Sequence, residues 1–225
     1  MRKSIRRFAE LVARTWDLKG PIYEFGSYQV AGQEKMLDLR PLFPGKEYVG
    51  CDMREGPGVD MVLNLHAIDL PENSVATLLA FDTLEHVEDP RLAMQEIHRV
   101  LQPGGVAVIT SVMNFPIHEF PYDYWRFTPE AFKSILKPFQ SSFVGWQGKT
   151  IFPHTVVGLA VKGEMPDVST FEKEYTQWQK RDKWSLRQIV INLVPPIVLP
   201  AVAWLYRLSV SLRKNGAIKK SEAKE

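Results

Sequence analysis

The feature that most constrains the fold is a strand–helix–strand unit in the middle of the chain. Residues 75–81 and 106–112 read VATLLAF and VAVITSV, two apolar runs of strand length. Between them, Asp89-Pro90 predicts an N-cap and a first helical residue, and Pro103-Gly104-Gly105 predicts the helix end. The apolar face of this helix carries Ala93, Ile97, Val100 and Leu101. The unit predicts two parallel strands joined by a right-handed crossover.

Other apolar segments alternate with polar or helical ones along the chain. Because near-continuous apolar strands suit a parallel sheet covered on both faces, the pattern predicts an open, doubly wound α/β fold. The connection after the second strand is too short for a full helix, so the helix layer is expected to be thin there. The further predicted strands are 22–25, 47–52, 59–65, 142–146 and 155–161, and a further helix is predicted from Thr128-Pro129.

Composition excludes several classes of protein. The chain has 225 residues, 45% of them hydrophobic, which suits one domain with an extension. A net charge of +2 is too small to indicate a nucleic-acid partner. Cys51 is the only cysteine, which predicts a reducing, cytoplasmic location, and the basic start leads into no secretory signal.

Both ends of the chain are basic and partly apolar. Residues 1–19 are predicted to form a basic amphipathic helix, which either covers one edge of the domain or contacts an anionic membrane. Residues 164–188 are polar and indicate a linker or an exposed helix.

The C-terminal tail, 189–225, contains an apolar stretch with the length of a membrane span. This stretch, Ile189 to Leu208, is interrupted by Pro195, Pro196 and Pro200, so an interfacial or re-entrant segment on the cytoplasmic face fits better than a clean span. The alternatives are a dimerisation arm, which would make a homo-oligomer, and packing onto the domain.

Polar residues follow four successive predicted strands. In an open α/β sheet, ligands bind at the carboxyl ends of the strands, so these residues are candidates for one site. Glycine at a strand end lets the backbone approach a ligand, and an acid after the second strand can accept hydrogen bonds from ribose hydroxyls. The residues are Glu24 and Gly26, then Asp52, then Asn64 and Leu65, and then Asp82, Glu85 and His86.

Each of these residues also has a structural interpretation. Asp52 can cap the following turn, and His86 can be a satisfied histidine ahead of the helix. Asp82, Glu85 and His86 could bind a metal, but the sequence shows no spaced set of further ligands. We therefore predict no metal site.

The segment from 70 to 110 closely resembles the class I S-adenosylmethionine-dependent methyltransferases, in the small-molecule branch with LEHV and RVLKPGG signatures. Here these read Leu84-Glu85-His86-Val87 and Arg99-Val100-Leu101-Gln102-Pro103-Gly104-Gly105. The resemblance extends over residues 20–163, taken as the methyltransferase domain. It implies a mostly parallel seven-stranded sheet with an antiparallel last strand, here followed by an apolar helical extension at the C-terminus.

The resemblance also implies which residues bind the cofactor S-adenosylmethionine. The loop YEFGSYQVAG, residues 23–32, departs from the family's glycine-rich form, since Ser27 and Tyr28 follow Gly26. Glu24 matches the acid of the cofactor loop, Asp52 the ribose-binding acid, and Asn64-Leu65 the adenine-contacting pair. Phe81 and Asp82 match the strand end that faces the methionine part and the acceptor. The full cofactor-binding set expected is Glu24, Gly26, Ser27, Asp52, Met53, Asn64, Leu65 and Phe81.

The segment MNFPIHEFPYDYWRFTPEAF, residues 113–132, is rich in aromatic residues and prolines. Similar segments in the family lie over the active site, although it could also be a packed loop that only closes the site. Positioning supplies most of the catalysis of methyl transfer, and a hydroxyl acceptor also needs a base. The catalytic candidates are Asp82, His86 and His118.

The sequence thus predicts methyl transfer to a small-molecule acceptor, glycan- or lipid-linked. The alternative is a non-catalytic module of the same fold that binds a membrane or a protein partner. A nicotinamide dehydrogenase is disfavoured because the glycine fingerprint is absent.

Overall fold

The computed structural model of the protein describes residues 1–118 and 121–182, with side chains through residue 180. The predicted apolar stretch at 189–208 lies outside these residues. Seven strands form one sheet: β1 Ile22–Phe25, β2 Tyr48–Asp52, β3 Met61–Val62, β4 Val75–Phe81, β5 Leu101–Val112, β6 Ser141–Lys149 and β7 Phe152–Val161.

The strand order is β3-β2-β1-β4-β5-β7-β6. β1 pairs in parallel with both β2 and β4, so that Phe25 lies beside Cys51 on one side and Ala80 on the other. β7 runs antiparallel to β5 and to β6, while the neighbouring pairs from β3 to β5 are parallel. This confirms the predicted seven-stranded sheet with its last strand antiparallel.

Helices cover both faces of the sheet. α3 and α4 pack on one face, with Ala93, Ile97 and Phe132 in the core, while α1 and α5 pack on the other, with Phe8 and Phe171. Two short 3-10 turns lie at 40–42 and 84–86. The helices are α1 Lys3–Thr15, α2 Glu34–Leu37, α3 Pro90–Val100, α4 Pro129–Ile135 and α5 Ser169–Asp182.

The predicted helix starts carry the hydrogen bonds expected of N-caps. The Asp89 carboxylate accepts from the backbone N–H groups of Arg91 and Leu92, at 3.0 and 3.1 Å. The hydroxyl of Thr128 accepts from the N–H of Ala131 at 3.1 Å. Each cap satisfies amide groups that the first helical turn would leave unpaired, which fixes where the helix begins.

Four strands differ in extent from the sequence prediction: β3 is shorter, and β5, β6 and β7 extend further. β3 is limited to two residues, because the chain turns at Asn64, whose side chain accepts from the N–H of His66. β5 begins at Leu101, before the Pro103-Gly104-Gly105 turn, because Leu101 already pairs with Val75 of β4, and the register shifts before Thr77 pairs with Val106. The predicted thin layer is confirmed, since no helix joins β2 to β3 and α2 has only four residues.

The N-terminal helix α1 covers the sheet. Ile5, Phe8 and Val12 are buried, and the ring of Phe8 lies 5.1 Å from that of Trp178 in α5. The apolar stripe that could contact a membrane is therefore inside the domain. Arg6 and Arg14 point to protein acceptors, namely the carbonyl oxygens of residues 36 and 38 for Arg6 and Glu174 for Arg14.

Helix α5 lies in the region that the sequence indicates as a polar linker or an exposed helix. Phe171, Tyr175 and Trp178 are buried at helical spacing, and the indole N–H of Trp178 donates to the carbonyl of Ser4 at 3.1 Å. The segment differs from the prediction because three widely spaced aromatic residues among charged ones suffice to form a buried face. Of the helices within residues 1–182, none combines the length and the apolar character needed to cross a bilayer.

Removal of one ring from this face tests the packing of α5. We expect Phe171→Ala to lower the free energy of unfolding by about 3–5 kcal/mol, because the ring is fully buried and leaves a cavity. Urea denaturation of the full chain measures the change, with Gln177→Ala on the exposed side of α5 as the matched control. Equal stability of the two variants would contradict the packing described.

Candidate functional site

The order in which the strands are added to the sheet reverses between β1 and β4, which are neighbours at its centre. The chain moves outward from β1 to β3, returns to the centre at β4 and then moves outward on the other side. The carboxyl ends of β1 and β4 therefore diverge into separate loops, and a crevice at such a point is where doubly wound sheets bind ligands. The predicted residues at the ends of β1, β2 and β4 lie along this one edge.

The loop after β1 lies along the end of β2. The N–H groups of Gly26 and Ser27 both donate to the carbonyl of Cys51, at 2.9 and 3.1 Å, and the Ser27 hydroxyl donates to the same oxygen at 3.2 Å. Gly26 is exposed and has a φ of +85°, where a side chain would be strained. A Cβ there would lie 2.6 Å from the hydroxyl of Thr83, so only glycine fits between the two loops.

Glu24 is a buried carboxyl group one residue before the end of β1. It accepts a hydrogen bond of 2.7 Å from the hydroxyl of Tyr48. Burial raises the pKa of Glu24 to about 7, and the hydrogen bond from Tyr48 opposes part of that rise. The acid that matches the family's cofactor loop is thus a proton-binding group within the physiological range.

Asp52 ends β2 with 16% of its side chain exposed. Its carboxylate accepts from the N–H of Arg54 at 3.3 Å, and the guanidinium of Arg54 stacks over the ring of Tyr28 at 4.1 Å. Met53 is 66% exposed beside it. The edge at β2 therefore presents an accessible carboxylate and an apolar side chain.

The two residues expected to contact adenine, Asn64 and Leu65, differ in burial. Asn64 is exposed, and its amide oxygen accepts from the N–H of His66 at 2.9 Å. The side chain of Leu65 is 4% exposed and belongs to the core on the α3 face. Only the backbone of Leu65 is therefore placed to meet a ligand.

Asp82 follows β4 and is bound by the N-terminal segment. Arg2 donates to both carboxylate oxygens, from Nε at 3.1 Å and from Nη2 at 3.0 Å, and the Thr110 hydroxyl donates to Oδ1 at 3.1 Å. Asp82 has a left-handed φ of +48°, and Phe81 before it is 7% exposed. The predicted catalytic carboxylate thus anchors Arg2 and is not a free base in this arrangement.

Glu85, in the turn after Asp82, is fully buried. Its Oε2 accepts from the hydroxyl of Ser111 at 2.5 Å, while Oε1 has no hydrogen-bond partner. Burial, and then the neighbouring Asp82 carboxylate, raise the pKa of Glu85 well above its usual range. The site therefore contains a second carboxyl group that holds its proton.

The structure brings His86 and His118 together. Their ring centroids are 4.7 Å apart, and one potential ligand atom from each ring and one from Glu85 lie within 4.8 Å of one another. The Nδ1 atom of His86 lies 2.6 Å from the carbonyl oxygen of Tyr122. Two of the three predicted catalytic residues are thus neighbours, with Asp82 one turn away.

The aromatic segment after β5 is fixed above the end of β4. The N–H groups of Tyr124 and Trp125 donate to the carbonyl of Glu85, and the indole of Trp125 donates to that of Val87. Asp123 accepts two hydrogen bonds from Arg126, at 2.6 and 2.7 Å, which hold the pKa of Asp123 far below its usual range. The placement of this segment over the predicted site agrees with the expectation from the sequence.

The sequence does not identify Arg2, Tyr48, Ser111 or the contact between His118 and Asp123 as parts of the site. Arg2 lies among the other basic residues at the start of the chain, and nothing in its neighbours indicates a partner at Asp82. Ser111 could be identified as a candidate site residue, because it lies near the carboxyl end of a predicted strand, where ligand-facing residues are expected.

The buried carboxyl of Glu24 makes stability depend on pH. Because its pKa is raised in the folded protein, unfolding releases a proton between about pH 4.5 and pH 7, and the free energy of unfolding falls across that range by about 3 kcal/mol. Glu24→Gln should remove this fall, as measured by urea denaturation at about pH 5 and about pH 8. Tyr48→Phe should enlarge it, because the lost hydroxyl stabilises the ionised form. Unchanged pH profiles in both variants would contradict the assignment.

Residues 40–109 match the family described as a methyltransferase domain. The match covers β2 to β5 and includes Asp52, Asp82, Glu85 and His86. No curated protein matches the chain.

Solved structures share the fold at low sequence identity. An S-adenosylmethionine-dependent methyltransferase from Archaeoglobus fulgidus is 15% identical, with a TM-score of 0.52, over 70% of this chain and 94% of that one. One from Thermotoga maritima, described as a possible histamine N-methyltransferase, is 19% identical, with a TM-score of 0.51, over 70% and 91%. The CurJ carbon methyltransferase is 14% identical, with a TM-score of 0.50, over 68% of this chain; the present chain spans about half of it, 51%.

The structural similarities establish the fold, and the family match places a methyltransferase domain on the strands that carry the site. Together these findings support an S-adenosylmethionine-dependent methyltransferase as the class of enzyme to which this chain is similar.

Proposed function

We propose that the chain binds S-adenosylmethionine at the carboxyl ends of β1 and β2 and transfers its methyl group to a small-molecule acceptor. The observation that supports this most is the aromatic segment held over His86 and Glu85 by backbone hydrogen bonds. It forms a wall for an acceptor next to the place where the fold binds its cofactor.

The residues at the edge fit the nucleoside part of this cofactor. The Asp52 carboxylate is accessible and has acceptor positions beyond the Arg54 N–H. A ribose would offer two hydroxyl donors to it. Met53 adds exposed apolar surface for the adenine, and Asn64 adds an exposed amide.

The methionine part of S-adenosylmethionine would find few free backbone N–H donors in the loop after β1. The N–H groups of Gly26 and Ser27 are already bonded to Cys51, so they do not point into the crevice. The close approach of backbone at Gly26 remains available, since the residue is exposed and carries no Cβ. The residues of the crevice therefore fit the ribose of S-adenosylmethionine well and its methionine carboxylate less well.

The acceptor surface is apolar and aromatic. The exposed side chains of the segment are Ile117, Tyr122, Tyr124 and Trp125, with fractional exposures from 43% to 78%. Such residues bind amphipathic molecules through ring faces and hydroxyl groups. This favours an acceptor with an apolar or sugar-like body, and a glycan- or lipid-linked molecule has that character.

The chain's own residues would act by placement and by proton transfer. The cofactor supplies an electrophilic methyl group when bound, so alignment of the acceptor can lower the barrier by about 7–11 kcal/mol. While no metal is bound to them, His86 and His118 are groups in the crevice that can take a proton from an acceptor hydroxyl. Asp82 holds Arg2 and the N-terminal segment against the site.

Two contacts favour a second candidate, a non-catalytic module that binds a membrane or a protein partner. The amides of the cofactor loop are bonded to Cys51, and Arg2 occupies the carboxylate that would face the acceptor. Both contacts fill positions that an active enzyme would leave to ligands.

Calorimetric titration with S-adenosylmethionine separates the two candidates. We expect micromolar binding by the wild type and a loss of about 10–100-fold in Asp52→Ala, because a charged hydrogen-bond acceptor for the ribose is removed. Asp17→Ala, an exposed carboxylate ahead of the opposite end of β1, is the matched control. No binding by folded wild-type protein would overturn the enzyme proposal and favour the binding module.

We also propose a peripheral contact of the chain with the cytoplasmic face of a membrane, through the apolar stretch 189–208. The basic residues that follow it, Arg213, Lys214, Lys219 and Lys220, would favour anionic lipid. Full-length protein should sediment with phosphatidylserine-containing vesicles, and a variant that ends at Asp182 should stay in solution. Equal behaviour of the two, with folding checked by circular dichroism, would exclude the tail as the contact.

A further inference from the structure

We propose that Glu85, His86 and His118 form a binding site for a divalent transition-metal ion beside the acceptor surface. The ligand missing from the sequence pattern is His118, which lies on a different segment from the Glu85-His86 pair. The structure places one potential ligand atom of each residue within 4.8 Å of the other two. Ligand atoms bound at about 2.0–2.2 Å around one tetrahedral ion lie about 3.3–3.6 Å apart, so the side chains would have to close by up to roughly 1.5 Å to hold an ion.

The carboxylate of this cluster lacks the partners that its neighbours have. Asp82 is paired with Arg2, and Asp123 is paired with Arg126. Glu85 has no ion pair within residues 1–118 and 121–182, and its Oε1 is buried without a hydrogen bond. A buried polar atom without a partner is costly unless a ligand satisfies it. A cation bound at Oε1 would displace the carboxyl proton and supply that partner.

Both imidazoles are oriented as metal ligands commonly are. The Nδ1 of His86 is bonded to the carbonyl of Tyr122, which can only accept, so Nδ1 carries the proton and Nε2 has the free lone pair. The Nδ1 of His118 lies 3.2 Å from both the carbonyl of Pro116 and the carboxylate of Asp123. A carboxylate or carbonyl behind each ring fixes the tautomer and the orientation of the ring.

The ligand set indicates the class of ion. Two imidazoles with one carboxylate suit zinc, iron, cobalt or nickel, whereas magnesium and calcium prefer sites made of oxygen atoms. Three protein ligands also leave coordination positions open to a further oxygen ligand. His86 and His118 are partly exposed, so these positions face the crevice. Binding of an acceptor oxygen there rests on the proposed function; the metal site itself does not.

The test uses the full chain, freed of any affinity tag and treated with chelator. Zinc titrated by calorimetry and cobalt(II) followed by its visible absorption should each show one bound ion per chain. His118→Asn and His86→Asn should weaken binding by at least about 100-fold, since each removes a ligand but keeps a donor near the Nδ1 position. Asp123→Asn should weaken it by about 10–100-fold, because it loosens the support of His118.

His98→Gln is the matched control, since His98 lies on α3 beside Phe139 and away from the cluster. It should bind as the wild type does, and excess magnesium should leave the cobalt spectrum unchanged. The proposal is overturned if the wild type binds no zinc with defined stoichiometry, if His118→Asn binds normally, or if His98→Gln loses as much affinity. Titration of the chelator-treated protein with S-adenosylmethionine, run separately, distinguishes failure of this site from failure of the proposed function.

Discussion

The pairing of β1 with β4 at the centre of the sheet is the constraint on which the site depends. Because both strands run in the same direction and leave the sheet toward opposite sides, their carboxyl ends open a crevice. Gly26 and Thr83 meet across it so closely that no Cβ fits between them. Gly26, Asp82, Glu85 and His86 follow these two strand ends directly, and the loop after β1 is bonded to Cys51 beside Asp52.

Charge is distributed unevenly along this crevice. On the β2 side, Asp52 is 16% exposed and lies 3.8 Å from the Nε atom of Arg54, with acceptor positions left for a ligand. On the β4 side, three carboxyl groups lie close together. Asp82 and Asp123 are paired with arginines, while Glu85 is buried and retains its proton. This asymmetry suits a site that binds a nucleoside at one end and performs proton chemistry at the other.

The central elements could be predicted from sequence because their signals are local. The bounds of β1 and β4, the Asp89 cap and the Thr128 cap follow from apolar runs and capping residues, and Asp52 follows from its place after a strand. Contacts between distant segments could not be predicted in this way. The pairing of Arg2 with Asp82, the meeting of His86 with His118 and the burial of Trp178 all depend on the path of loops and on which helix face meets the sheet.

The contact between α1 and α5 has a consequence for how the chain is made. Phe8 lies near the start of the sequence, and its ring partners, Phe171 and Trp178, are synthesised only after β7, the last strand of the sheet. On the ribosome, the sheet face that α1 and α5 cover lacks α5 until that helix has emerged. The α3 face can close earlier, since α3 and α4 lie within the sheet's own sequence. The nascent domain therefore passes through a stage with one finished face and one apolar face still open, a stage at which chaperones bind and neighbouring chains aggregate.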